Sequence, residues 1–258
     1  AKRPLGQLIS ANSDEPSFEA CKRLDYEVEV GIFVGPGNNP GEPISLDQAE
    51  RHIFGFCLLN DWSARDIQTW EYQPLGPFLA KNFATTISPW IVTNEALAPY
   101  RIAAFQRDPA DPMPLPYLTS TANTESGGLD INLEVSISSA GMRELGISAH
   151  VLGKPAFREM YWNVFQMLAH HTSNGCNLKP GDLLGSGTVS GGSDDELGSL
   201  MELNRGGKEQ IELPGGEVRT FLEDEDEIVI AGWCQRNGFA RIGFGEVRSR
   251  VIAAGKSG

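Results

Sequence analysis

Glu27 and Glu29 stand two residues apart in Tyr26-Glu27-Val28-Glu29-Val30-Gly31-Ile32, so on an extended chain their carboxylates leave the same face. Like charges held that close repel, and a cation between them relieves the repulsion. A metal site is one reading; a solvated strand face on which Glu alternates with Val is the other. The segment 61–72 carries more chemistry. If it is helical, Asp61, Arg65, Gln68 and Tyr72 share one continuous stripe, with Trp62, Ile67 and Trp70 elsewhere. An anion, a fork-shaped donor, an amide and a phenol together suit a polar organic ligand beside a cation. An exposed amphipathic helix is the alternative, with Asp61 as a simple N-cap.

Lys81 follows the turn Gly76-Pro77-Phe78-Leu79-Ala80. Held there, its ammonium could face a developing oxyanion, or it could snorkel to water. Glu202 lies inside the apolar run Leu200-Met201-Glu202-Leu203, where it reads either as a general-base partner or as a partly exposed strand residue. The small-residue loop Gly185-Ser186-Gly187-Thr188-Val189-Ser190-Gly191 lets a ligand approach the backbone but lacks the phosphate-loop pattern. His52, His150, His170 and His171 have no metal-ligand spacing, and structural roles are expected for all of them. There is no GxSxG elbow, no HExxH and no cysteine next to a histidine partner. Ordinary hydrolase machinery is absent.

The elements that must position these groups follow from periodicity. Alternation predicts strands over Tyr26 to Val34 and Leu129 to Ile137, and an apolar run predicts a buried strand over Ile53 to Leu59. Ser45-Leu46-Asp47-Gln48 fits a capping box opening a short helix to His52. Residues 60–68 suggest a short helix or irregular turn. After Pro155, the spacing of Phe157, Met160, Tyr161, Val164, Phe165 and Leu168 predicts the longest helix, with Gly175 just past its end. Pro214-Gly215-Gly216 marks a hairpin between 210–213 and 217–221, and two further strands fall over 227–234 and 241–247. The sum is one domain over 1–258 with a mixed, β-rich α+β fold.

Composition narrows the function. Among 258 residues, 29 Gly and 16 Pro favour many turns and short strands. A net charge of −13 excludes a phosphate-backbone partner, so no nucleic acid is expected. No apolar stretch approaches the roughly 20 residues of a spanning helix, so no membrane partner is expected either. Cys21, Cys57, Cys176 and Cys234 are scattered without a CxxC pair. No signal peptide is visible behind Ala1-Lys2-Arg3-Pro4, and the cysteines read as reduced, mostly buried thiols of a cytoplasmic protein.

Leu24-Asp25-Tyr26-Glu27-Val28-Glu29, Asn60-Asp61-Trp62-Ser63-Ala64-Arg65-Asp66-Ile67-Gln68 and Pro74-Leu75-Gly76-Pro77-Phe78 resemble the fumarylacetoacetase family. So do His170-His171, the stretch from Gly175 to Leu183, and Arg241-Ile242-Gly243-Phe244-Gly245. The resemblance runs from Arg3 to Ile252 and implies a β-sandwich or roll with a few short helices. It implies that Glu27, Glu29 and Asp61 hold a divalent cation, Mg²⁺ or Ca²⁺, and that Lys81 and Thr85 also line the metal site. It further implies that Arg65, Gln68 and Lys81 stabilise an oxyanion, that Tyr72 and Thr188 contact substrate with Gln68, and that Glu202 orients a catalytic histidine.

The implied reaction is hydrolysis of a carbon–carbon bond in a 1,3-diketone: fumarylacetoacetate and water give fumarate and acetoacetate, a step of tyrosine and phenylalanine breakdown. The implied assembly is a homodimer acting on a small diketo acid. In this family a preceding domain and the segment after it supply a further aspartate ligand, the catalytic histidine and more substrate contacts. None of His52, His150, His170 or His171 matches that histidine. The chain is therefore expected to be the carboxy-terminal catalytic domain of a longer protein, binding metal weakly and turning over little substrate alone. Two other readings are a superfamily hydrolase or isomerase of acylpyruvates or related diacids, and a non-catalytic β-domain whose metal is only a staple.

Overall fold

Val28, Val30 and Ile32 are at most 2% exposed, and their alternation with Glu29 and Gly31 gives β1 (Val28–Val34) one face wholly inside the core. In the computed structural model, which describes residues 7–9 and 16–255, eight more strands build the body. They are β2 (Ile53–Asp61), β3 (Thr85–Ile87), β4 (Val92–Thr93), β5 (Asn132–Ser138), β6 (His150–Gly153), β7 (Leu183–Gly185), β8 (Glu227–Cys234) and β9 (Ile242–Arg250). One antiparallel sheet runs β7-β1-β2-β3, with β4 pairing the opposite end of β2. The other runs β6-β5-β8-β9.

The inner faces of both sheets feed a single apolar cluster. Val28, Val30, Phe56 and Leu58 from the first join Leu133, Val135, Ile228, Ile230 and Val247 from the second. Burial of each large aliphatic side chain contributes about 2 kcal/mol. Gly232 on β8 sets the approach, since a Cβ there would stand 2.6 Å from Leu58 and 3.0 Å from Leu133. The β-rich mixed fold expected from the residues, with a few short helices, is the fold observed. Among the described residues no helix is long and apolar enough to cross a membrane.

Local departures have local causes. The longest expected helix does not begin after Pro155. Phe157–Glu159 is a single 3-10 turn, Met160 is extended, and the α-helix is Val164–Thr172. Asn163 accepts from the Phe165 and Gln166 N–H groups while the Gln166 side chain returns to the Asn163 N–H, a capping box that fixes the start seven residues later than periodicity alone suggests. The expected helix after Ser45 forms as Leu46–Ala49 with a 3-10 turn to His52, but the Ser45 side chain makes no capping bond. Ile211–Glu212 and Val218–Arg219 pair across Pro214-Gly215-Gly216 as the turn residues predict. Cys57 and Cys234 are buried, as expected for inert thiols, whereas Cys21 is half-buried and Cys176 exposed.

Tyr26 adjoins β1 and is wholly buried. Its hydroxyl has no hydrogen-bond partner among the described residues, and burial pushes the phenol well above its usual range. An unpaired buried hydroxyl costs about 1–3 kcal/mol. Tyr26→Phe is therefore expected to leave urea stability unchanged or raise it by about 1 kcal/mol. A loss of that size would instead reveal a bonded hydroxyl.

Candidate active site

The acidic end of β1 meets the end of β2. Glu29 lies on β1 and Asp61 closes β2, while Glu27 forms a bridge with Ser199 just before β1. Carboxylate oxygens of Glu27, Glu29 and Asp61 lie within 4.8 Å of one another. This is no solvated strand face: Glu29 is 4% exposed and Glu27 9%. Burial, joined by the charges of Asp61 and Glu27, pushes the Glu29 carboxyl up to about 8. Burial also raises Asp61, against the pull of Lys81.

Two cations face the triad. Lys81 Nζ donates to Glu27 Oε2 at 2.5 Å, Asp61 Oδ2 at 3.0 Å and Ser63 Oγ at 2.7 Å. It does not snorkel away, because its turn is tied down: the Glu71 carboxylate accepts from the N–H groups of Phe78, Leu79 and Ala80. Arg65 Nη1 lies 2.9 Å from Glu27 Oε1 and donates to Gln68 Oε1 at 3.0 Å. Its other edge, Nε and Nη2, donates to Asp25 Oδ2 at 3.0 and 2.8 Å. Burial works against the Arg65 charge, but Asp25 and Glu27 hold its pKa above the ordinary value.

The stripe expected over 61–72 is not one helix. Asp61 belongs to β2, Ser63–Ala64 pairs with Leu24–Asp25, and the helix is Arg65–Glu71 with Ala64 at the N-cap. The pairing with Leu24–Asp25 keeps residues 63 and 64 extended, so Asp61 is neither a helix residue nor a cap. Arg65 and Gln68 still share a helix face, one turn apart. Tyr72 follows at the helix end and is half exposed. Thr85 sits opposite Asp61 in the β2–β3 register, and Thr188 lies in the loop after β7. Glu202 is in a helix, Leu200–Leu203, not a strand, because Ser199 caps it by accepting from the Glu202 N–H. The Ser199 hydroxyl also donates to Glu202 Oε2 at 2.7 Å. Tyr72, Thr85, Thr188 and Glu202 form none of the ion pairs among the triad, Lys81 and Arg65.

The small-residue loop serves Glu29. Gly187 N–H donates to Glu29 Oε2 at 3.1 Å, and a Cβ on Gly185 would sit 2.5 Å from that oxygen. Local sequence pattern assigns no role to Asp25, Ser63 or Glu71. A signal existed for Asp25, which extends the Glu27–Glu29 alternation by one step. One pairing contradicts the sequence reading: Cys176 Sγ lies 3.7 Å from His171 Nε2. The two are five residues apart across a helix end, so no cysteine–histidine motif shows it. Both are exposed on the protein surface.

The donor set fits a hard divalent cation. All three ligand candidates are carboxylates. With every group ionised, Asp25, Glu27, Glu29 and Asp61 exceed Lys81 and Arg65 by two negative charges, that of one such ion. Burial raises both the Glu29 and the Asp61 carboxyls, and the charges of Asp61 and Glu27 add to the rise at Glu29.

The family model described as fumarylacetoacetate (FAA) hydrolase C-terminal matches residues 6–252. Over 253 residues the chain is 49% identical to the fumarylacetoacetase of Homo sapiens, an alignment covering 98% of this chain and 58% of that protein. With the fumarylacetoacetase of Arabidopsis thaliana the identity is 48% over 250 residues, 97% of this chain and 56% of the relative. The chain thus spans just over half the length of these relatives. Among solved structures, a fumarylacetoacetate hydrolase from the psychrophile Exiguobacterium antarcticum aligns at 21% identity with a TM-score of 0.53, covering 97% of this chain and 62% of that one. That likeness is one of fold. On the family match, the chain belongs to the fumarylacetoacetate hydrolase family, within its C-terminal domain.

Proposed function

We propose that this chain is the catalytic part of a fumarylacetoacetase, a hydrolase that divides fumarylacetoacetate into fumarate and acetoacetate. The observation that carries the reading is the carboxylate triad within 4.8 Å, flanked by Lys81 and Arg65. Glu27, Glu29 and Asp61 hold Mg²⁺ or Ca²⁺, with Lys81 and Thr85 at the rim of that site. When bound, the ion supplies Lewis-acid polarisation of the diketone oxygens. Arg65, Gln68 and Lys81 are the donors for the alkoxide that forms when water adds to a carbonyl. The ion pairs of Arg65 and Lys81, and the hydrogen bond from Arg65 to Gln68, fix the three before substrate arrives, so little reorganisation is left to the reaction. Tyr72 and Thr188, together with Gln68, contact substrate. Glu202, with one oxygen engaged by Ser199, orients an imidazole contributed by chain outside residues 1–258. Homodimeric assembly belongs to the same reading and rests on the family resemblance, and a cytoplasmic setting rests on the scattered, unpaired cysteines.

The test follows loss of fumarylacetoacetate absorbance, with acetylpyruvate as competitor substrate. The complete protein containing this chain is expected to hydrolyse fumarylacetoacetate in Mg²⁺ or Ca²⁺ and to prefer it. This chain alone is expected to be slower by about 100-fold or more, the effect of lacking a general base. Preference for acetylpyruvate would overturn the substrate assignment. Undiminished rates from the chain alone would overturn the division of the site.

A further inference from the structure

Asp25 is wholly buried, and five N–H groups converge on it. Oδ1 accepts from Tyr26 N and Leu200 N, each at 2.8 Å. Oδ2 accepts from Met201 N at 3.1 Å and from Arg65 Nε and Nη2 at 3.0 and 2.8 Å. None of these groups can accept a proton in return, so the arrangement fits the acceptor-only carboxylate. The contacts join three segments: the strand residues beside Glu27, the helix that begins at Arg65, and the helix that carries Glu202.

We propose that Asp25 is a positioning residue that aims the Arg65 guanidinium and ties it to the Glu202 helix. This rests on the reaction proposed above. Asp25 engages the Nε–Nη2 edge of Arg65, which stops rotation of the planar fork. Only Nη1 is left pointing at Glu27 Oε1 and Gln68 Oε1. Leu200 and Met201 open the helix in which Glu202 is third, so the same carboxylate sets the height of that helix against Arg65. A buried ion pair is a costly way to join segments that apolar packing could join as well. Here it fixes an orientation that apolar packing would not.

The experiment is a double-mutant cycle in the complete protein, with Asp25→Asn and Arg65→Gln alone and together. Arg65→Gln is expected to lower kcat by about 100- to 1,000-fold, the effect of losing one oxyanion donor. Asp25→Asn is expected to lower kcat by about 30-fold or more with KM within about threefold of wild type. Its Ca²⁺ affinity should fall by no more than about tenfold, because Glu27, Glu29 and Asp61 stay in place and the acidic excess drops by one charge. The double variant should fall no more than about threefold below Arg65→Gln, since both changes disable one device. Losses that multiply independently would overturn the proposal.

If Asp25→Asn does not fold, Asp25→Glu keeps the charge but displaces the carboxylate by one methylene. It is expected to lower kcat about tenfold at unchanged Ca²⁺ affinity, and a wild-type kcat would overturn the proposal. A second readout does not depend on the reaction. Arg65 released from Asp25 should react with phenylglyoxal, read by peptide mass, about tenfold faster in the variant than in wild type. An unchanged rate would also overturn it. A wild-type protein inert towards fumarylacetoacetate would defeat only the assigned reaction, leaving the labelling result to decide Asp25.

Discussion

Glu29→Gln is expected to weaken Ca²⁺ or Mg²⁺ binding by about 100-fold or more, because one of the three carboxylates proposed as ligands becomes a neutral amide. In the ion-free protein it should do the opposite to stability at neutral and alkaline pH. Burial and the neighbouring charges of Asp61 and Glu27 raise the Glu29 carboxyl to about 8. Between the ordinary carboxylate range and that value, the folded chain keeps a proton that the unfolded chain has released. Stability of the ion-free wild type therefore falls as pH rises through this window, and the full penalty is reached above it. Glutamine removes the penalty.

The same proton competes with the ion. Wild-type affinity should rise about tenfold per pH unit below about 8 and level off above it. Calorimetric titration of Ca²⁺ between pH 6 and 9, with melting curves of the ion-free proteins, checks both halves. A pH-independent wild-type affinity would remove Glu29 from the ligand set. If the ion were only a staple, Glu29→Gln would lower the melting temperature in Ca²⁺ and leave turnover intact. As a catalytic ligand, its loss must also reduce turnover.

What the sequence shows of this site follows chain geometry. Glu27 and Glu29 are readable because a strand repeats every two residues, and Asp25 extends the same series. A helical stripe groups Asp61 only with Arg65, Gln68 and Tyr72, and it is the family resemblance that joins it to Glu27 and Glu29. Asp61 arrives there by strand pairing, since β1 and β2 put Val28 opposite Asn60 and hence Glu27 beside Asp61. Lys81 is twenty residues further on, at the end of a turn whose direction depends on Glu71, and no local pattern encodes that clamp. The fold was legible wherever burial enforced alternation, as in β5 and β8. It was less so where a cap decides a boundary. Asn163 starts the helix at Val164 rather than at Phe157, where the apolar spacing would allow it, because side-chain capping outweighs a weak periodic preference. The Cys176–His171 contact lies outside any such rule, being made by a turn folding back on a helix end.

Lys81→Met should separate ion binding from turnover. Nζ donates to Glu27, Asp61 and Ser63, and an ammonium so engaged has no lone pair for a metal. It acts on the ligands as a competing positive charge. Methionine fills nearly the same volume without that charge, so the acidic excess rises from two charges to three. Ca²⁺ should then bind about tenfold more tightly, as expected for removing one like charge at the edge of a partly buried site. Turnover should move the other way, falling about 100- to 1,000-fold, since the ammonium charge proposed to stabilise the developing alkoxide is gone. Tighter ion binding with slower hydrolysis is the signature of a residue that stabilises charge formed during the reaction. Weaker Ca²⁺ binding would place Lys81 among the ligands instead, and an unchanged kcat would leave the alkoxide to Arg65 and Gln68.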